Sequence, residues 1–356
     1  MKAIDPHNHK SLQRQLLIQK RHHWDLEDDI PWQLGIDLNR QFLPLDEANI
    51  AFPGASAEQQ LALSQLMGLV VNATIAEMED ALPKLKYAGW ESVLKSYPAN
   101  PELIELGELF FEEEAKHARA FNRFLGLFCE TTGIELNDLK SLLPQAFGSF
   151  FQRAVLANAT AGGHAFWWVV SSVEEVSIEI FHHMQPFKQQ TDPLFYELHR
   201  KHLEEESRHA NYAHLMLTLV RNRNETFLRK LLKRTDFAFS QMVATPWVLS
   251  ELAKFFEIKK FRHKHPFFEV LTSCLPLLQS MPKQELVKRM FLAAPYVSWL
   301  LNPKHRRWHS KLKKDHGAWD LPYPSPTGVK HEGEYGTADI DDSGSEHGLA
   351  DQPKAG

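Results

Sequence analysis

Two short motifs place a glutamate three residues before a histidine, and both pairs consist of groups that bind metal ions. The first pair is Glu114 with His117, and the second is Glu206 with His209. Residues three apart in an α-helix project from the same face. Carboxylates and imidazoles together suit iron or manganese. The motifs therefore indicate a metal centre between two helices.

The apolar pattern separates these two pairs from a third pair with the same spacing. The first pair lies within a stripe of leucine and phenylalanine side chains, where solvated charges are not expected. The second pair lies on an apolar stripe as well, and His202 joins it four residues before the glutamate. The third pair, Glu179 and His182, lies off the apolar stripe of its helix. We interpret that third pair as a chance or solvated example.

Five ionisable groups thus point into the predicted core. Burying a lone carboxylate is very unfavourable unless a proton, a charged partner or a metal compensates it. One interpretation is a buried network of salt bridges among these five side chains. The other is a metal pair, because two helical hairpins that each carry an inward Glu-x-x-His match the carboxylate-bridged dimetal bundles. We favour the metal pair.

That arrangement requires one further glutamate from each of the two remaining helices. On the first helix the candidates are Glu77 and Glu79, and helical phase favours Glu77. On the third helix the candidates are Glu174 and Glu175, and phase places Glu174 nearer the apolar side. A helix buried on every side would remove this directional information. Phase alone therefore leaves the choice on the third helix open.

The order of these motifs resembles the p-aminobenzoate N-oxygenase family of diiron oxygenases, within the ferritin-like superfamily. The resemblance covers roughly residues 60 to 220. Its motifs in this chain are Glu77 six residues before Pro83, Glu113 and Glu114 before His117, and Pro193 nine residues before His202, Glu206 and His209. The histidine at 202 is the specific feature, because ferritins and rubrerythrin-like proteins normally use two histidines.

The resemblance implies a complete set of metal ligands and places the ligand of the third helix on Glu175. The implied ligands are Glu77, Glu114, His117, Glu175, His202, Glu206 and His209. Their four carboxylates carry a charge of −4, which balances two divalent ions. The implied cofactor is a pair of iron ions, with manganese as the alternative.

The function implied by the resemblance is oxidation of a small organic substrate by O2, with N-oxygenation of an amine as the specific reaction. The implied partners are O2, the small-molecule substrate and an electron donor. One alternative keeps the metal centre but leads to desaturation or C–C cleavage. Another alternative is a non-catalytic iron-binding protein of the ferritin-like superfamily.

The spacing of apolar residues predicts an all-α protein with additional C-terminal helices. The resemblance implies that its core is a ferritin-like four-helix bundle. The four predicted bundle helices are Ala57–Leu82, Pro101–Cys129, Gln145–Met184 and Pro193–Val220. The third of them is predicted to bend near Gly162 and Gly163. We predict a lead segment over residues 1–56, the dimetal bundle over 57–221, additional helices packed on it over 222–321 and a disordered acidic tail over 322–356.

The composition limits the remaining classes of function. The 356 residues are 43% hydrophobic and 24% charged, which is typical of a soluble globular protein. A net charge of −5 argues against nucleic acid or a membrane as the partner. The two cysteines suit a reducing compartment, and no secretory signal or long apolar run is visible, so we expect a cytoplasmic protein. The long apolar helices are compatible with a homodimer.

Overall fold

The fold is all-α throughout the residues that the computed structural model describes, namely 6–44, 52–95, 100–143, 147–221, 236 and 265–282. No strand occurs in these ranges, and their one isolated bridge pairs Gln41 with Thr191. Their α-helices longer than a single turn are α1 (Pro6–Arg21), α2 (Ala57–Lys86), α3 (Pro101–Thr132), α4 (Leu136–Leu142), α5 (Ser149–Thr160), α6 (Ala165–Met184), α7 (Pro193–Arg221), α8 (Pro266–Ser273) and α9 (Leu275–Ser280). The prediction of an all-α protein is confirmed.

Helix α2 begins at a capping box and is buried along most of its length. The Ser56 hydroxyl accepts the backbone N–H of Gln59, and the Gln59 side chain accepts the N–H of Ser56. The helix continues through Pro83 to Lys86, four residues beyond the predicted end. By length and composition it could cross a membrane, but 89% of its most apolar window is buried inside the protein, as in a core helix.

Helix α3 has clear start and stop signals in the sequence. The Asn100 side chain accepts the backbone N–H of Leu103 at 2.7 Å, and Pro101 occupies the first helical position. Gly133 ends the helix with φ of 75°, and its N–H donates to the Cys129 carbonyl at 2.8 Å. A left-handed residue at this position favours glycine.

The structure has two helices, α5 and α6, where the sequence predicted a single bent helix, so that prediction was wrong. Gly162, with φ of 90°, lies between them. The Asp236 carboxylate accepts hydrogen bonds from the Asn158 side chain at 2.9 Å and from the His164 backbone N–H at 2.7 Å. This buried carboxylate therefore bridges the end of α5 and the start of α6.

Four long helices form the core in two closely packed pairs, α2 with α3 and α6 with α7. Aromatic side chains fill the interior between them. One aromatic layer comprises Trp90, Phe110, Phe111, Trp167 and Tyr212, and the other comprises Phe42, Phe124, Phe128 and Phe195. Gly107 lets the Trp90 indole lie directly against the backbone of α3, where a methyl group would collide with the ring.

The terminal regions pack on this core where they are described. Helix α1, within the predicted lead segment, packs against α3 and α7. Helix α8 packs against α2, and it falls within the predicted region of additional helices. Apart from residues 236 and 265–282, the segment 222–321 lies outside the described residues, as does the predicted tail 322–356.

Candidate metal centre

Seven acidic and histidine side chains from the four long helices converge in the core. We call them the metal cluster: Glu79 from α2, Glu114 and His117 from α3, Glu174 from α6, and His202, Glu206 and His209 from α7. Each is no more than 1% exposed. Of the seven predicted ligands, five therefore meet in one place, and two neighbouring glutamates complete the set.

One half of the metal cluster surrounds His202. Its Nε2 atom lies 2.7 Å from Glu79 Oε1 and 3.0 Å from Glu206 Oε1. The Nδ1 atom of His117 lies 3.1 Å from the same Glu206 oxygen and 3.7 Å from Glu79 Oε1. In this group each residue offers one ligand atom within 4.8 Å of all the others.

The other half surrounds His209. Its Nδ1 atom lies 2.9 Å from Glu114 Oε1 and 3.4 Å from Glu206 Oε1. Glu174 forms a group with Glu206 and His209, and Glu114 forms one with His117 and His209. Glu206 thus belongs to groups in both halves, and a carboxylate can bridge two cations through its two oxygens.

Many of these ligand atoms are buried without a hydrogen-bond partner. A hydrogen-bond partner is missing for both carboxylate oxygens of Glu114, Glu174 and Glu206. It is also missing for one oxygen of Glu79 and for the Nδ1 atoms of His117 and His209. Buried polar atoms in folded proteins nearly always have partners. Carboxylates and imidazole nitrogens that converge in this way form a donor set suited to cations, so the residues fit the predicted metal pair.

The electrostatics of the acids indicate a shortage of positive charge. Burial raises the pKa of Glu114 to about 7, although nearby His209 opposes the shift. Burial, together with the charges of Glu114 and Glu206, raises the pKa of Glu174 well above its usual range. Glu206 differs from these two acids. Burial would raise its pKa, but the charge of His202 and the proximity of Glu174 and His117 hold the pKa well below the usual value.

The histidines take up positive charge in response. Burial opposes protonation of His117, yet the carboxylates around it raise its pKa well above the usual value. The same balance, with Glu114 as the largest favourable partner, raises the pKa of His209. Without a cation these shifts favour proton uptake by the metal cluster, and bound divalent ions would displace such protons.

The prediction that Glu77 faces the metal cluster is corrected to Glu79. Glu77 is half-buried, and its carboxylate accepts the backbone N–H of Phe147 at 3.2 Å. Glu79 is fully buried and approaches His202. Because α2 is buried on nearly every side, its apolar residues could not indicate which of the two glutamates points to the centre.

The placement of Glu175 is corrected to Glu174. Glu175 lies outside the metal cluster, where its Oε1 atom is 3.6 Å from His214 Nε2. Helical phase in the sequence places Glu174 nearer the apolar side, whereas the resemblance, aligned without gaps from His202, places the ligand on Glu175. An alignment without gaps assumes a fixed length for the connection between α6 and α7, which the resemblance does not determine. As interpreted from the sequence, His182 is exposed and outside the metal cluster.

Two further acids form an outer group around the metal cluster. Glu113 and Glu205 are buried and accept hydrogen bonds from two of the cluster histidines. Each directly precedes a cluster glutamate in the sequence. The sequence motif already includes Glu113, but it assigns neither acid a contact with a histidine.

Comparisons of the chain with protein-family models, curated proteins and solved structures found no match. The functional interpretation therefore rests on the residues and their geometry.

Proposed function

We propose that the metal cluster binds two divalent ions and that the protein is a diiron oxygenase. The observation that carries this proposal is the convergence, from four helices, of buried ligand atoms that lack hydrogen-bond partners. Four carboxylates supply the charge that balances two divalent ions, and three imidazoles complete the donor set. The carboxylate of Glu206 is the candidate bridge between the ions.

The donor set supports iron, with manganese as the alternative. Mixed carboxylate and imidazole ligands suit both metals, whereas structural zinc and iron–sulfur sites use clustered cysteines. No cysteine joins the candidate groups within the described residues. The pairing of α2 with α3 and of α6 with α7 is compatible with a ferritin-like four-helix bundle, which we propose as the finer description of the core.

A reduced iron pair supplies the electrons that activate O2 for reaction with an organic substrate. The protein contributes a dry, rigid setting for that chemistry. Phe110 packs edge-on to His209 with ring centroids 4.8 Å apart, and Phe121 packs edge-on to His202 at the same distance. These rings separate the metal cluster from the rest of the core on both sides. N-oxygenation of an amine is the reaction implied by the resemblance, with O2, a small substrate and an electron donor as partners.

A second candidate function is iron binding without an organic substrate. Full burial of all seven side chains favours it, because an iron-binding protein needs no room for a substrate beside the ions. Desaturation or C–C cleavage at the same centre is the remaining enzymatic alternative. Substrate-dependent O2 consumption separates the enzymes from the iron-binding protein.

The test begins with metal analysis of protein expressed with iron. We expect about two irons per chain, and loss of one or both in His117→Ala and His209→Ala. His182→Ala is the control, because this exposed histidine lies on α6 outside the metal cluster. Unchanged iron content in the first two variants would refute the metal assignment.

The second step is an O2-uptake screen of the iron-loaded, reduced protein with aromatic amines and with fatty compounds. Stimulation by amines would support N-oxygenation, and stimulation by fatty compounds alone would favour the desaturase or cleavage alternative. Iron oxidation that no organic compound stimulates would refute the oxygenase and leave the iron-binding protein.

A further inference from the structure

Helix α1 presents a basic face to solvent. Its inner face, which includes Leu12, Leu16 and Gln19, is buried against the bundle. The residues on the opposite face recur at spacings of four, three and four and are all exposed: Lys10, Arg14, Leu17 and Arg21. We call these four residues the basic stripe. It extends about 16 Å along the helix, and the 16 residues of α1 include no acid.

The positive charges of the basic stripe are not neutralised within the described parts of the chain. None of the ion pairs there involves a member of the stripe. Two acids that follow α1 are paired with other helices: Glu27 with Arg123 at 2.7 Å, and Asp29 with Lys201 at 3.2 Å. The three cations of the stripe therefore remain available to an external partner.

The centre of the basic stripe is apolar. Leu17 is 56% exposed and lies about one turn from Arg14 and from Arg21. Ile18, the next residue, is 37% exposed and enlarges the apolar area. Protein interfaces commonly have an apolar centre within a polar rim. The stripe therefore fits a protein partner that carries acids around a small apolar area.

The chain continues from the basic stripe directly to the metal cluster. Trp24 lies three residues after the stripe and is 2% exposed. Its indole stacks on His117, with ring centroids 5.5 Å apart and an interplanar angle of 10°. The segment is fixed to the bundle, because Lys116 donates to the Trp24 carbonyl at 2.8 Å and Arg208 donates to the His22 carbonyl at 3.2 Å. One buried ring therefore connects the end of the stripe with a histidine of the metal cluster.

Exposed acids of α3 border the basic stripe. Helix α1 packs on α3, and Lys20 of α1 pairs with Glu105. Glu108 and Glu112 are exposed on the same helix. A bilayer or a nucleic acid, which is an extended anionic surface, would meet these acids as well as the stripe. The protein as a whole also carries a net charge of −5. These charges favour a small acidic protein, which can contact the stripe alone.

We propose that the basic stripe is the docking surface for the electron donor, and that this donor is a small acidic one-electron carrier protein. The proposal rests on the proposed diiron function and specifies its redox partner. Two molecules of the reduced carrier are each oxidised by one electron, and two ferric ions are each reduced by one, so Trp24 neither gains nor loses a proton. Electron-transfer partners need only a small interface, and complementary charge accelerates their association.

The first experiment measures binding of two acidic carriers, a plant-type [2Fe–2S] ferredoxin and a flavodoxin, by calorimetry. The stripe variant combines Lys10→Gln, Arg14→Gln and Arg21→Gln. Because three exposed charges are removed, we expect it to bind roughly 3- to 100-fold more weakly than the wild type. Wild-type binding should weaken as salt is added, since salt screens exposed charges.

The matched control removes the same charge at exposed positions elsewhere. It combines Lys95→Gln, Lys140→Gln and Arg153→Gln. If the position of the charge matters, this variant should bind both carriers as the wild type does. Equal weakening in the control and in the stripe variant would show an effect of net charge alone and would overturn the docking surface.

The second experiment compares two reductants on the oxidised, iron-loaded protein in a stopped-flow instrument. Reduced ferredoxin, below saturation, should reduce the stripe variant roughly 3- to 100-fold more slowly than the wild type, in proportion to the lost affinity. Dithionite, which is too small to need a docking surface, should reduce the two proteins at closely similar rates. A slow reaction of the stripe variant with dithionite as well would overturn the inference.

The outcomes separate this inference from the proposed function. Wild-type carrier binding that is unaffected by salt, or wild-type affinity in the stripe variant, would overturn the docking surface and leave the metal pair intact. Stripe-dependent binding of anionic phospholipid vesicles or of DNA, with neither carrier bound, would overturn it in favour of another partner. Failure of the wild-type protein to bind iron would overturn the proposed function, whereas carrier binding is measured on the metal-free protein as well.

Discussion

Replacing Glu174 by glutamine should weaken metal binding and, at the same time, stabilise the metal-free protein. Burial and neighbouring carboxylates raise the pKa of Glu174 well above 4.5, which favours the protonated form of this side chain in the folded metal-free protein. Glutamine closely matches the protonated acid in shape and charge. It cannot supply the negative charge that a bound cation requires.

The sign of the stability change follows from proton linkage. Above pH 4.5 the unfolded chain releases the proton of Glu174 more readily than the folded protein does, so this group makes the wild-type protein lose stability as pH rises. Between pH 4.5 and pH 7 that loss reaches up to about 3 kcal/mol. The Glu174→Gln variant lacks this loss, so its metal-free form should exceed the wild type by up to that amount at pH 7 and by little at pH 4.5.

Metal binding should change in the opposite direction. Removing one charge partner from a buried ionic site costs roughly 3–5 kcal/mol, which weakens binding between about 100-fold and a few thousand-fold. The control is Glu175→Gln, because Glu175 lies outside the metal cluster and beside His214. It should leave metal affinity unchanged.

Two measurements are needed: urea unfolding with a chelator at both pH values, and iron affinity by competition. If Glu174→Gln destabilised the metal-free protein at pH 7, Glu174 would be an ionised member of a salt-bridge network. If Glu175→Gln lost iron while Glu174→Gln kept it, the correction drawn from the structure would be wrong.

Four further outcomes are expected. Glu79→Gln should lose iron on metal analysis while Glu77→Gln keeps it, and the reverse result would contradict the assignment of Glu79 to the metal cluster. Because burial lowers the pKa of His199 well below 6.5, the unfolded chain takes up a proton at this residue more readily than the folded protein does. From pH 7.5 to 5.5 the wild type should therefore lose more stability than His199→Gln in urea unfolding, by up to about 1 kcal/mol. In thermal unfolding, Gly107→Ala should destabilise the protein by about 1–3 kcal/mol through collision with a buried indole. Gly126→Ala, with no atom within 4 Å of the new methyl group, should stabilise it by about 1 kcal/mol in the same thermal unfolding assay.

Local periodicity was sufficient to find most of the metal cluster. Helical spacing places Glu114 with His117 on one face of α3, and Glu206 with His209 on one face of α7. Those faces are apolar, so the buried position of these charges follows from the sequence. The all-α class follows from the same spacing, and the start of α3 at Pro101 was predicted, whereas its end at Thr132 lies three residues beyond the predicted Cys129.

The contributions of α2 and α6 could not be obtained in that way. Both helices are buried on several faces, so hydrophobicity does not distinguish Glu79 from Glu77, or settle Glu174 against Glu175. Which residue faces the centre depends on how each helix is rotated against its neighbours. That rotation results from packing of the whole core and is not encoded in a short segment.

The positions of Glu113 and Glu205, the outer group around the metal cluster, depend still more on contacts between distant parts of the chain. Glu205 meets Trp24, which lies 181 residues earlier, and Glu113 meets Gln19, which lies 94 residues earlier. Helical periodicity relates residues within a few turns and carries no information about such distances. The sequence therefore identifies the groups able to bind metal, whereas folding brings together the groups that hold them in position.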